Sequence, residues 1–232
     1  DAIHATVLPD ELDLAASVAL PISYSTAGSA LMWRAKLQKG DWILVHGAGG
    51  GVGLAAVEIA KAIGAHVIAR AGVDKHEHLK SRGADVVLDS AAPTFREDVL
   101  RLTDGGAQAV LDPMGGAIFD ESLRCLAEGG TLVSIGYVSG EIPKAAANII
   151  MLKNIAVAGL NWGLYIGWSP QDNREFYAPR AQALWAQLVD WWQEGKIAPM
   201  IHESYPLADF ASAMEAVRER RVIGRVALLP QV

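Results

Sequence analysis

The chain has 232 residues, 51% of them hydrophobic and 20% charged, with 26 acidic side chains against 20 basic ones and a net charge of −6. This balance excludes a disordered chain, a collagen-like repeat and a disulfide-stapled miniature, and it allows one large domain with a real core. It also argues against a nucleic-acid platform, which needs clustered Lys and Arg to neutralise phosphates.

The first residues are acidic (Asp1, Asp10, Glu11, Asp13) rather than basic, so no signal peptide is expected. Residues 4–7, from His4 to Val7, read as one extended segment. Residues 14–33 carry no charge, but Pro21, Ser17, Ser23, Ser25, Thr26 and Ser29 interrupt them. Residues 154–171 are likewise broken by glycines and Pro170, so neither stretch reads as a membrane span.

From residue 42 onward, apolar runs alternate with helical patterns. Strands are expected at 42–46, 66–69, 86–89, 109–112, 131–135 and 155–159, and helices at 51–63, 74–82, 94–103, 117–126 and near 145–152. The strand runs are apolar throughout, as in strands covered on both faces, and six of them with crossover helices imply a doubly wound parallel sheet. Past residue 165 the pattern becomes a long helix (170–194, with Trp185, Leu188, Val189 and Trp192 at helical spacing), a strand (200–205), a helix (207–220) and a last strand (225–229). A lone strand at each end places both termini in another structural layer. The single cysteine, Cys125, permits no internal disulfide and points to a reducing, cytoplasmic setting.

The strongest motif is His46-Gly47-Ala48-Gly49-Gly50-Gly51-Val52-Gly53, after the first strand and at the start of the first crossover helix. A pyrophosphate reaches a helix N-terminus only where no Cβ blocks the backbone amides. Gly50 and Gly51 give that access, and Gly53 lets the helix pack on the strand. Strict G-x-G-x-x-G spacing is not met, because Ala48 takes the first glycine's place. In this setting the loop marks a Rossmann-type dinucleotide site. NAD sites place a carboxylate at the end of the second strand, about 20 residues on. Ala71 stands there, with Arg70, Lys75 and His76 close by, which favours the 2′-phosphate of NADP(H). Asp74 is either a ribose ligand or, better, the N-cap of the next helix.

These residues, with Leu54-Ala55-Ala56-Val57, Leu20-Pro21, Ser25-Thr26-Ala27, Lys39-Gly40-Asp41, Gly83-Ala84-Asp85, Val110-Leu111-Asp112, Gly115-Gly116, Gly129-Gly130 and Gly224-Arg225-Val226, resemble the medium-chain dehydrogenase/reductase superfamily. The likeness is to its zinc-independent, zeta-crystallin-like quinone oxidoreductase branch. It implies that residues 1–16 are a remnant of a barrel-like (GroES-like) catalytic domain. Residues 17–164 would be the dinucleotide domain, and 165–232 the segment returning to the incomplete barrel. It also implies that much of the substrate pocket lies outside this sequence. Zinc-dependent relatives place a cysteine ligand where Ile22 stands here, and an alkyl chain cannot ligate zinc, so no zinc is expected.

Carried over residue by residue, the resemblance puts Thr26 at the nicotinamide or its ribose, although Thr26 also reads as a helix N-cap. Gly136, Tyr137, Val138 and Ser139 would line the cleft, Leu160 and Asn161 would approach the carboxamide, and Pro113 would lie near the adenosine. Arg225 would reach a phosphate, or else be a solvated strand residue. The sixth strand, from Ile155 to Gly159, resembles the edge that pairs across a two-fold axis, so a homodimer is expected.

The implied reaction is hydride transfer from NADPH to a quinone or other α,β-unsaturated carbonyl, which depends on alignment rather than on a strong acid. Alternatives are an enoyl-thioester or alcohol reductase and a non-catalytic dinucleotide sensor. No catalytic acid is named, and the chain alone is expected to bind cofactor with little turnover. Neither a nucleic acid nor a membrane is expected as a partner. His76 and His78 do not share a helix face and form no metal site, and Arg218-Glu219-Arg220-Arg221 reads as a solvated helix end.

Overall fold

The computed structural model describes residue 3 and residues 5–230. The segment expected to open with an extended run begins at His4, which lies outside the described residues, and 5–7 pair with no strand. Instead the chain enters a helical stretch that the sequence reading left unassigned: α1 (Leu14–Ser17), a π-helical turn (Leu20–Tyr24), α2 (Ser25–Gly28) and a second π-helical run (Ser29–Ala35). Leu14–Ala35 is long and apolar enough to cross a membrane by length and composition, but most of it is buried inside the fold. Its hydroxyl groups bond back to their own helix: Ser25 Oγ donates to Leu20 O at 3.0 Å and Ser29 Oγ to Ser25 O at 2.7 Å. Serines satisfied in this way can be buried at little cost.

Six parallel strands follow: β1 (Trp42–Val45), β2 (His66–Ala71), β3 (Val86–Asp89), β4 (Ala107–Asp112), β5 (Leu126–Ser134) and β6 (Ala156–Gly159), in the order β3-β2-β1-β4-β5-β6. The expected doubly wound sheet is therefore present, and its order reverses between β1 and β4. In such sheets the crevice at the carboxyl ends of the strands flanking that reversal is where ligands bind. The crossover helices are α3 (Gly51–Ile63), α4 (His76–Ser81), α5 (Arg96–Leu102), α6 (Gly116–Cys125) and α7 (Ala147–Lys153). β5 starts five residues earlier than its apolar run because the backbone stays extended through Gly129 and Gly130. Asp74 is no N-cap: it sits inside a 3₁₀ turn (Val73–Lys75), and its carboxylate folds back over Gly72.

The core lies in two layers. One face packs α3 and the Leu14–Ala35 stretch on the sheet, with Leu20, Leu31, Ile43 and Ile59 essentially sealed from solvent. The other packs Phe95, Val99, Phe119, Leu123 and Leu126 beneath Leu44, Ile68 and Val110.

The remainder is α8 (Arg174–Gln193), β7 (Ile201–Pro206), α9 (Phe210–Arg218) and β8 (Arg225–Leu229), with β7 and β8 forming a separate parallel pair. The long helix starts at Arg174 rather than 170. Its buried stripe is Ala178, Ala181, Leu184, Leu188 and Trp191, while Trp185 and Trp192 are only half-buried. Leu184 fits there because Gly28 has no side chain: a Cβ on Gly28 would stand 2.8 Å from Leu184 Cδ1.

Candidate functional site

The loop between β1 and α3 is built from glycines that serve different ends. Gly47 has φ +61°, a left-handed conformation that side chains rarely adopt. A Cβ on Gly53 would lie 2.2 Å from Gly47 O and 2.7 Å from Ala48 Cα, so this position is closed by backbone packing. Gly50 differs from both. Its φ of −86° and ψ of 171° suit any residue, and an added Cβ would meet nothing nearer than Gly47 O at 3.4 Å. It leaves space over the first turn of α3, where unpaired amides point outward.

That space opens into a cleft of about 710 Å³ at the carboxyl ends of β1, β2 and β4. Gly49, Gly50, Gly51, Val52, Gly53, Arg70, Lys75, Pro113 and Arg225 line it as expected, while Ala48 lies behind the loop and donates its N–H to Arg70 O. Arg70, Lys75, Arg220 and Arg225 give the lining its positive charge, and no Asp or Glu side chain belongs to it. Burial lowers the pKa of Arg70, Lys75 and Arg225, so the positive charge here is held at a cost that an anion would relieve.

The cations hold different stations. Arg225 Nε donates to Ser23 Oγ at 2.6 Å and lies against Gly51, beside the N-terminus of α3. Lys75 lies across Gly49, and its Nζ donates to Val222 O at 2.7 Å. Arg70 is sealed at the base, with its guanidinium 4.1 Å from the Phe95 ring centroid and Nη2 donating to the carbonyls of Asp89, Ser90 and Ala92. Those bonds commit it to shaping the loop after β3, whose Ser90 faces the cleft. His76 turns away: its Nε2 stands 3.2 Å from Ala71 O, and it does not line the cleft.

The cleft is not lined by Thr26, Gly136, Tyr137, Ser139, Leu160 or Asn161. Thr26 sits within continuous helix and is not an N-cap. Val138, whose N–H bonds Pro113 O at 2.9 Å, brings the 136–139 loop to the cleft edge. Leu160 is buried, and Asn161 Oδ1 accepts from Gly163 N at 3.0 Å.

The sequence reading missed the far wall, formed by Met214 and Val217 of α9 with Arg220, Val222, Gly224 and Val226. It is docked on the glycine loop by Gly224 N, which donates to Gly49 O at 2.9 Å, and by a parallel bridge between Gly50 and Gly224. His46 was also missed. It is buried at the end of β1 with Nε2 2.8 Å from Ser122 Oγ, whose own proton goes to Ile118 O, so the imidazole donates from Nε2. Burial, then Arg70, push its pKa down to about 3.

Among the described residues no group of three or more His, Cys, Asp or Glu side chains could hold a metal ion, and no step below is routed through one. The glycine cradle, left open at Gly50 and ringed by cations, does fit a dinucleotide diphosphate.

Sheet order and cleft together define a dinucleotide-binding Rossmann domain. The profile of the zinc-binding dehydrogenase family matches residues 51–179, and the chain belongs to that family, within the quinone oxidoreductase-like medium-chain dehydrogenases/reductases. It is 36% identical over 224 residues to quinone oxidoreductase-like protein 2 of Bos taurus, covering 95% of this chain and 62% of that protein. A mycobacterial structure complexed with NADPH superposes with a TM-score of 0.86 at 30% identity, covering 96% of this chain and 67% of that one. A quinone oxidoreductase of Pseudomonas syringae gives a TM-score of 0.86 at 29% identity, covering 99% and 69%. The chain spans about 60% of the length of the curated relatives it matches.

Proposed function

We propose that this chain is the NADP(H)-binding portion of a zinc-independent oxidoreductase that reduces a quinone or another α,β-unsaturated carbonyl. The observation that carries the cofactor reading is the cleft lining, with four cations and no carboxylate beside a glycine loop whose Gly50 leaves room for a ligand. The mycobacterial relative complexed with NADPH supports the same cofactor, and the Pseudomonas relative supports the substrate class.

In this reading the amides of Gly51 and Val52, with Arg225, hold the diphosphate at the positive end of α3. Ala71, at the end of β2, leaves the adenosine 2′ position free of the carboxylate that would repel a phosphate. Pro113, Met114 and Ile118 supply an apolar wall for the adenosine half. When bound, NADPH supplies a hydride. The chain's own contribution is to fix the dinucleotide so that its nicotinamide faces a substrate held mainly by residues beyond this chain, and alignment of that kind lowers the barrier without an acid.

The open edge of β6, paired only with β5 and with Val157 partly exposed, supports pairing with a second copy. The test is steady-state oxidation of NADPH with a simple quinone and with an enone by the intact protein. Turnover with the quinone is expected. Absence of turnover with either acceptor, despite tight NADPH binding, would make the protein a dinucleotide sensor instead.

A further inference from the structure

The basic run after α9 contains one arginine that no intramolecular partner accounts for. Arg218 pairs with Glu215 and Arg221 with Glu219, whereas Arg220 makes no ion pair among the described residues. Its backbone is strained. Arg220 ends α9 with its N–H bonded to Val217 O at 3.0 Å and has φ +58°, the left-handed position where a helix normally stops on glycine. A guanidinium at this site, in place of the residue the turn prefers, suggests that the side chain has a use.

The cleft shows where that use lies. Arg220 lines it from the C-terminal side, and Lys75 lines it from the loop after β2. Lys75 has its pKa lowered by burial, restored in part by Asp74, and lowered again by the charge of Arg220, so the two cations act on one another. Like charges brought together without a carboxylate in the lining favour an anion between them. The diphosphate is already served by the α3 amides and Arg225. Lys75 instead stands just past the end of β2, where a dinucleotide places its adenosine ribose.

We propose that Arg220 and Lys75 form a two-sided clamp on the adenosine 2′-phosphate of NADP(H), so that the C-terminal segment, and not the Rossmann domain alone, sets the preference over NAD(H). This rests on reading the cleft as an NADP(H) site.

The test is calorimetric titration of NADPH and NADH into the full chain, its Arg220→Gly variant and its Arg220→Lys variant, with a thermal melt of each. Glycine relieves the strained φ, so Arg220→Gly should melt at or above the wild-type temperature. It should bind NADPH at least tenfold more weakly while NADH affinity stays within about twofold. Arg220→Lys, which keeps the charge, should recover part of the loss. If Arg220→Gly binds NADPH as the wild type does, or loses both nucleotides equally, the clamp is wrong while the cofactor reading stands. If the wild type binds neither nucleotide, the cofactor reading fails and the clamp with it.

Discussion

Gly50 and Gly53 are three residues apart on the same loop and are glycine for unlike reasons. Gly53 is demanded by the fold, because a Cβ would press on Gly47 O at 2.2 Å. Gly53→Ala should therefore cost roughly 1–3 kcal/mol of stability, measurable by urea denaturation. Gly50 is demanded by neither conformation nor packing. Gly50→Ala should melt within a few degrees of the wild type yet lose at least tenfold in NADPH affinity, since its methyl group fills the phosphate's place. Arg70 invites a different contrast. Its side chain stacks on Phe95 and braces residues 89–92, so Arg70→Met should weaken NADPH and NADH in the same proportion, while Lys75→Ala should weaken NADPH selectively. His46 gives a pH signature. Its folded pKa, about 3, lies below the unfolded value of 6.5, so the unfolded chain binds the extra proton between these values. Stability should fall by up to about 1.4 kcal/mol per pH unit as pH drops from 6.5 toward 3. His46→Gln, which keeps a donor for Ser122, should flatten that slope.

Helix α3 is more than a phosphate cradle. Glu58, on its buried face, accepts from Tyr24 Oη at 2.6 Å and from Ala198 N at 2.9 Å and pairs with Arg82. One carboxylate thus ties the Leu14–Ala35 stretch, α4 and the strand that leads to β7 onto the dinucleotide helix. Glu58→Ala strands Arg82 in a mostly buried site and should cost about 3–5 kcal/mol. The dinucleotide affinity should drop with it, because β7 and β8 carry the far wall of the cleft. The elements with apolar runs were legible from sequence: β3 and β8 have the bounds their residues suggest, because strands of this kind show their burial in composition. The Leu14–Ala35 helix was not legible. Pro21 and a series of hydroxyls argue against a buried helix until their bonds to the preceding turn are seen.

At the level of the molecule, the near wall of the cleft was readable because the glycine loop and the end of β2 are local features of the chain. The far wall was not. Met214, Val217 and Val222 look like ordinary apolar residues of a terminal helix and turn, and only the docking of Gly224 on Gly49 brings them across from a distant part of the sequence. Thr26, Leu160 and Asn161, carried over by resemblance, lie outside the cleft lining, whereas Gly50, Lys75 and Arg225, argued from chemistry, lie within it. A crystal structure of the chain soaked with NADPH puts the whole assignment at risk in a single experiment. The diphosphate should sit within hydrogen-bond reach of the Gly51 and Val52 amides, with the 2′-phosphate toward Lys75. A nucleotide bound elsewhere, or a glycine loop still covered by Arg225 at saturating NADPH, would refute it.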